Sequence, residues 1–284
     1  MGQQKMSRVT VPFLAILAST LVVAPAAESQ PTLQAASETY ADLADLALQA
    51  PVAAHVRLRR AVPLKPGEAG SAGAGRTRFF VEADLLSLIR GNEGLPARVT
   101  YLADFPNGAA GKAARPAKKS EYIVLASTVP NRPGELRLVS PDANLAYSPE
   151  RAALLRNILR EAAAPGAPPA ISGIGKAFHV PGSLPGESET QIFLQTTDGR
   201  PVSLSVLRRP GETPRWAFAL GEIVDDAAEP PKPNSLLWYR LACTLPRSLP
   251  PQSLADVEQA HKSAVQSDYQ LVMSQLGTCL RSRR

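Results

Sequence analysis

The sequence is poor in the residues from which metal and redox centres are built. Its 284 residues include only 3 His and 2 Cys, too few for a zinc or iron–sulfur site with several such ligands. Aromatic residues make up 5% of the chain, which argues against a stacking platform for single-stranded nucleic acid. The signature motifs of zinc proteases, serine hydrolases and dithiol oxidoreductases are also missing. We therefore expect no metal and no cofactor, and no motif assigns a catalytic residue.

Long apolar runs are missing as well, apart from one at the start of the sequence. Two basic residues precede the apolar run 11–24, and Ala24-Pro25-Ala26 supplies the small residues that signal peptidase reads. Residues 1–26 are thus predicted to be a cleavable signal peptide, followed by a flexible leader over residues 27–36. An uncleaved anchor is the alternative, but a membrane span needs about 20 apolar residues. We expect a periplasmic or secreted protein without a stable membrane span.

The surplus of positive charge is small once that segment is removed. The full chain carries 31 Lys+Arg against 25 Asp+Glu, a net charge of +6. Loss of Lys5 and Arg8 leaves 29 basic residues against 25 acidic ones, a net charge of +4. The remaining basic residues are scattered apart from short runs, including those within residues 57–60 and 112–119, which are typical of solvated faces and loop tips. We therefore expect no nucleic-acid partner.

The two cysteines, Cys243 and Cys279, are predicted to form a disulfide because export places them in an oxidising compartment. The bridge would close a loop of roughly 36 residues, for which loss of chain entropy in the unfolded state gives roughly 3–4 kcal/mol. A free thiol pair and an intermolecular bridge are the alternatives. A redox role is not expected, because the Cys-x-x-Cys spacing is absent.

Residues 37–163 carry the pattern of a small barrel with flanking helices. A helix is predicted over residues 38–50 with Ser37 as its N-cap, and a second begins at Ser148-Pro149. Between them lie five short stretches of strand pattern separated by turns. The fourth stretch is apolar on both faces, which predicts a central strand. The five stretches are residues 52–59, 78–89, 99–101, 121–126 and 135–139.

A Pro/Gly/Ala-rich segment at residues 164–169 is predicted to be a linker to a second domain over residues 170–284. Four strands are expected there, over residues 170–180, 190–197, 201–207 and 216–224, and the second and third are joined by the hairpin signal Asp198-Gly199. Two helices should follow, one capped by Asn234 and the last capped by Ser253. The predicted fold class is α+β, with an OB-like five-stranded β-barrel first and an antiparallel β-meander with two C-terminal helices second.

The order and spacing of residues 38–160 resemble the netrin/TIMP-type OB barrel. A first strand at residues 52–58 is followed by Phe79-Phe80-Val81, then by a polar insertion, a strand at residues 122–125, and a last strand and helix. The inhibitory members of that family bind a protease zinc through an N-terminal Cys, and residues 1–242 hold no cysteine here. The resemblance therefore implies the fold and not the inhibition. The whole chain also looks like an uncharacterised family of exported bacterial proteins.

His179 is the one histidine with a suggestive setting. It ends a predicted strand and precedes a polar loop, so contact with a ligand is one interpretation and a His–Ser dyad with Ser183 is another. His55 and His261 are expected to be exposed to solvent. Trp216 is a further candidate because it could stack on a ligand, although such residues more often belong to a core or its rim. The candidate ligand contacts are His179, Ser183, Glu187, Glu189 and Trp216.

These observations favour a non-catalytic binding or envelope-interaction protein whose partner is an unknown envelope protein or a small ligand. Two other classes stay open. One is a periplasmic hydrolase that uses His179 and Ser183, and the other is a protease inhibitor on the OB scaffold. Export and the missing catalytic signatures support the first class, and the sequence leaves the partner and the oligomeric state undetermined.

Overall fold

The structure is a computed structural model that describes residues 1–2, 38–91, 94–108, 111–220 and 229–283. The predicted signal peptide and leader therefore lie outside the described residues, apart from the first two. Residues 221–228 also lie outside them, and with them the end of the strand predicted over residues 216–224. Within the described ranges, no helix is both long and apolar enough to span a lipid bilayer.

Helix α1, Tyr40–Gln49, begins two residues later than predicted. Its N-cap is Thr39 rather than Ser37. The Thr39 hydroxyl accepts a hydrogen bond from the Asp42 N–H, and the Asp42 carboxylate accepts one from the Thr39 N–H. This reciprocal pair is a capping box, which satisfies backbone donors that the first helical turn leaves free.

Five strands close into a barrel, as predicted. Hydrogen bonding follows the order β1–β2–β3–β5–β4, and β4 returns to pair with β1. The contact between β3 and β5 is parallel and the others are antiparallel. This topology is consistent with an OB-like fold. The strands are β1 (Val52–Pro63), β2 (Arg76–Arg90), β3 (Arg98–Pro106), β4 (Glu121–Val129) and β5 (Arg132–Leu138).

Two elements follow the barrel strands. A short strand that was not predicted, β6 (Asn144–Ala146), pairs with β4 on the same edge as β5, opposite the edge that pairs with β1. Helix α2, Pro149–Ala163, starts where the sequence predicts, because the Ser148 hydroxyl accepts a hydrogen bond from the Arg151 N–H and Pro149 occupies the first turn.

The central strand β4 separates two hydrophobic clusters, which confirms that it is apolar on both faces. Val124 and Ala126 belong to the cluster inside the barrel. Ile123 and Leu125 belong to a larger cluster that also holds buried side chains of α1, α2 and the second half of the chain. That larger cluster includes residues on both sides of the 164–169 segment. The division into two domains at this segment stays a prediction.

The second half contains the predicted antiparallel meander, in which each strand pairs with the next along the chain. Two helices follow, and a bridge between Cys243 and Cys279 joins the end of the first helix to the segment after the second, with the sulfur atoms 2.13 Å apart. The intramolecular pairing of these cysteines is therefore confirmed. The elements are β7 (Ile171–Pro181), β8 (Ser188–Thr196), β9 (Val202–Arg208), β10 (Arg215–Ala219), α3 (Leu236–Ala242) and α4 (Lys262–Leu276).

The predicted cap residues of these two helices are wrong. Ser235 caps α3 instead of Asn234, and its hydroxyl accepts a hydrogen bond from the Trp238 N–H. Ser253 does not cap α4, because residues 251–261 form two short 3₁₀ helices before α4 begins at Lys262. Apolar residues spaced three apart fit a 3₁₀ helix, which has three residues per turn, as well as an α-helix.

A segment after α4 lies against the start of α1. The backbone N–H groups of Ser282 and Arg283 donate to the Asp42 carboxylate at 3.0 and 3.1 Å. Nearby, Arg281 forms an ion pair with Asp45 at 2.7 Å. Residues 281–283 therefore complete the N-terminal end of a helix that begins about 240 residues earlier in the sequence.

Candidate functional site

A cleft opens in the barrel where β3 and β5 diverge. The two strands pair only at Thr100–Glu135 and Tyr101–Leu136. After Leu136, β5 pairs with β4 and no longer with β3. The space between β3 and β5 ends where the Asp104 N–H donates to the Pro141 carbonyl at 3.2 Å. The resulting cavity, which we name the β3–β5 cleft, has a volume of about 580 Å³.

An ion pair lies at one side of the β3–β5 cleft. Arg78 on β2 donates to both carboxylate oxygens of Asp104 on β3, at 2.7 and 3.0 Å. The Asp104 side chain is 2% exposed and that of Arg78 is 18% exposed. The hydrogen bonds to Asp104 raise the pKa of Arg78, so this guanidinium stays charged. A bidentate pair of this kind fixes the shape of the wall because both side chains are locked.

The rest of the lining combines apolar surface with charge. Phe80 and Leu102 are large apolar side chains that remain 37% and 36% exposed. Arg132 and Glu135 pair with each other at 3.2 Å. Arg137 is exposed on β5, and its side chain forms no ion pair or hydrogen bond with any residue in the described ranges. The cleft therefore offers an apolar strip beside an available cation.

A second group of polar side chains surrounds His179. The His179 Nδ1 lies 2.8 Å from the Thr190 Oγ1. The Thr190 hydroxyl donates to Asp268, which is fully buried and pairs with Arg208 at 2.6 Å. Because the hydroxyl has one proton and gives it to the carboxylate, the His179 Nδ1 must carry a hydrogen and donate it to Thr190. The Nε2 is then the nitrogen left to accept a proton.

Electrostatics keep His179 neutral near pH 7. Partial burial lowers its pKa below the usual value, and the neighbouring His261 lowers it further, with ring centroids 5.1 Å apart. His261 was expected to be exposed to solvent, but it is half-buried. His55 was also expected in solvent, but its side chain is 12% exposed, stacks on Tyr147 and lies 2.8 Å from a Glu121 oxygen. Both corrections arise because residues distant in sequence cover these rings.

The other candidate contacts do not gather around His179. Ser183 is exposed in the loop between β7 and β8, and its hydroxyl makes no hydrogen bond with a described residue. Glu187 closes the same loop by accepting a hydrogen bond from the Leu184 N–H at 3.3 Å. Glu189 is exposed and accepts one from Ser205 at 3.4 Å. Trp216 is 3% exposed, and its indole N–H donates to the Gln275 side chain at 2.7 Å.

Sequence reasoning missed the residues that hold His179. Thr190 lies directly opposite it across the β7–β8 hairpin, a register that the sequence did not specify. Asp268 left a clearer signal, because it lies three residues after Val265 and four before Val272, on the apolar stripe of α4. A charged residue on a buried stripe needs a partner, and here Arg208 supplies it.

No group of three or more His, Cys, Asp or Glu side chains is placed to hold a metal ion within the ranges that the structure describes. Comparison with models of known protein families and with curated proteins finds nothing that matches this chain.

Proposed function

We propose that this chain is an exported, non-catalytic binding protein that holds its ligand in the β3–β5 cleft. The position of the cleft carries the proposal. In OB barrels, the face of strands 2 and 3 and the loop between strands 4 and 5 bind extended ligands. The β3–β5 cleft is lined by β2, β3, the turn between β4 and β5, and β5 with the residues that follow it, so it includes the corresponding places.

The chemistry of the lining favours an amphipathic, anionic ligand. Phe80 and Leu102 offer apolar surface, and burial of such surface is worth about 25 cal/mol per Å². Arg137 can pair with a carboxylate, sulfonate or phosphate without first breaking an ion pair within the described residues. A ligand with apolar groups next to one acidic group would satisfy both features.

A fluorescence titration with 8-anilinonaphthalene-1-sulfonate tests this proposal, because that probe joins apolar rings to a sulfonate. We expect saturable binding to the native protein and at least tenfold weaker binding to the variants Leu102→Asn and Arg137→Glu. Matched controls are Leu184→Asn, at a 58% exposed leucine, and Arg156→Glu, at an exposed arginine of α2. Equal binding by all four variants and the native protein would refute the assignment of the cleft.

Export is a separate part of the proposal. It rests on the signal-peptide pattern of residues 1–26 and on the bridged cysteines, since disulfides persist in oxidising compartments. N-terminal sequencing of the mature protein checks it. We expect the first residue to be Ala27, and an intact N-terminus in the cytoplasmic fraction would contradict export.

A hydrolase centred on His179 is the second candidate, and one observation favours it. The hydrogen bond to Thr190 orients the ring and leaves Nε2 to accept a proton, as a general base requires. Ser183 would be its nucleophile, although the two side chains are not in hydrogen-bond contact. Hydrolysis of p-nitrophenyl acetate that is lost in both His179→Ala and Ser183→Ala would support this candidate. Activity unchanged in both variants, or absent in the native protein, would exclude it.

A further inference from the structure

Two basic runs that are far apart in sequence lie side by side on the barrel. The Leu58 N–H donates to the Ser120 carbonyl at 2.8 Å, and the Lys119 N–H donates to the Leu58 carbonyl at 3.0 Å. These hydrogen bonds hold the end of the β3–β4 connection against β1. The two segments enclose a cavity of about 540 Å³, which we name the basic cleft. Its cations are Arg59 and Arg60 from β1 and Arg115 and Lys118 from the connection.

A β-bulge explains why both arginines of β1 line the basic cleft. Successive side chains of a regular strand point to opposite faces of the sheet. Here the register between β1 and β2 passes from Leu58–Ala83 to Arg60–Glu82, so that Arg59 is an extra residue with no residue of β2 opposite it in the strand pairing. A bulge breaks the alternation and redirects a side chain, and bulges are frequent beside functional sites. Two consecutive arginines can therefore line one cleft.

The counter-charges in this region are few and weakly held. Arg59 pairs with Asp84 at 3.2 Å and Arg60 with Glu82 at 3.7 Å, and the two arginine side chains are 49% and 66% exposed. Exposed pairs of this kind contribute about 0–1 kcal/mol, so an anion can compete for the arginines. The side chains of Arg115 and Lys118 have neither an ion pair nor a hydrogen bond with a described residue.

We propose that the basic cleft binds a phosphate group that carries two or more negative charges. Guanidinium groups bind phosphate oxygens in a bidentate manner, and the lysine adds a compact charge. Four cations against two carboxylates leave a local surplus that a multiply charged anion would neutralise. Such a group could belong to a free oligophosphate or to the headgroup of an anionic lipid. The site is separate from the β3–β5 cleft and does not depend on the function proposed for it.

Isothermal titration calorimetry with tripolyphosphate tests the free ligand, and cosedimentation with phosphatidylglycerol/phosphatidylcholine vesicles tests the headgroup. The decisive variant is Arg115→Gln/Lys118→Gln, because these side chains have no partner whose loss would disturb the fold. The matched control, Arg209→Gln/Arg247→Gln, removes the same charge from exposed positions in the second half of the chain. Thermal melts should show that both double variants fold like the native protein.

We expect at least tenfold weaker binding by Arg115→Gln/Lys118→Gln and a change of less than twofold in the control. Loss with tripolyphosphate alone assigns the site to free oligophosphate, loss with vesicles alone assigns it to lipid headgroups, and loss with both supports the shared chemistry. The proposal is overturned if the native protein binds neither probe, or if the two double variants weaken binding equally.

Discussion

Replacement of Asp42 by Asn should destabilise the protein strongly, although the change removes no volume. Asp42 is 1% exposed. Its carboxylate accepts hydrogen bonds from residues near both ends of the described fold. The donors are the N–H groups of Thr39, Ser282 and Arg283 and the hydroxyls of Thr39 and Ser282. An amide keeps one acceptor oxygen but turns an NH₂ group toward donors that faced the other oxygen.

The size of the effect follows from these contacts. Two hydrogen bonds to the carboxylate oxygen that becomes NH₂ are lost, and each such bond to a charged group is worth about 1.5–3 kcal/mol. Partial rearrangement of the 281–283 segment, which is near the surface, should recover some of this. We expect Asp42→Asn to lower the free energy of unfolding by about 2–4 kcal/mol at pH 7. Urea denaturation followed by tryptophan fluorescence measures it.

The same contacts predict the pH dependence. Burial disfavours the charged form of Asp42, but hydrogen bonds from Ser282 and Thr39 outweigh burial and hold its pKa below the usual range. An aspartate has a pKa of about 3.9 in the unfolded chain, so its contribution is fully present above that value. The contribution falls as the pH drops through the lower pKa of the folded state. The difference between native protein and Asp42→Asn should therefore shrink below about pH 4.

A matched change shows whether burial is the cause. Asp84 has a side chain that is 38% exposed and pairs with Arg59 at 3.2 Å. We expect Asp84→Asn to change the free energy of unfolding by no more than about 1 kcal/mol. The reasoning about Asp42 would be refuted if Asp42→Asn were as stable as Asp84→Asn, or if its deficit at pH 7 persisted unchanged at pH 3.

Three further predictions concern the second half of the chain. Serine at both bridging cysteines should lower the free energy of unfolding by about 4 kcal/mol for a 36-residue separation, measured by urea denaturation. Arg208→Gln should lower the melting temperature by about 6–20 °C, because it leaves Asp268 buried without its cation, a loss of about 3–5 kcal/mol. In an NMR titration His179 should have a pKa below 6.5 that rises in His261→Asn, and an unchanged pKa would contradict the coupling. Because the pKa of His179 is lower in the folded than in the unfolded state, protonation of this residue favours unfolding. The free energy of unfolding should therefore decrease as the pH falls below about 6.5.

The barrel could be predicted because its strands carry local signals. Alternation in β1, turns rich in Pro and Gly, and a strand that is apolar on both faces specify the elements and their order. The closing pairing of β1 with β4 joins residues about 70 apart, and strand β6 has only three residues, so neither carries a local signature. The start of α4 was missed because the Leu254–Val257 spacing of three fits a 3₁₀ turn as well as an α-helix.

The sites were less predictable than the fold, because they depend on which distant residues meet. His179 was recognised, but Ser183 and the nearby glutamates are neighbours in sequence, whereas Thr190 and Asp268 are its partners in space. The basic residues of the basic cleft were visible as separate runs. Their convergence depends on the pairing of β1 with residues 119–120 and on a one-residue bulge, both of which are set by the tertiary structure.

The contact between residues 281–283 and α1 has a consequence for the order of folding. A chain is synthesised from its N-terminus, so α1 leaves the ribosome about 240 residues before Ser282. The N–H of Ser282 is one of the donors to the carboxylate of Asp42 in α1. Until then Asp42 has only its own cap residue, Thr39, to pair with. Closing so long a loop comes late because its entropy must be lost before its contacts form. The native hydrogen bonds at the start of α1 are therefore incomplete until residues 281–283 have been synthesised and have packed against it.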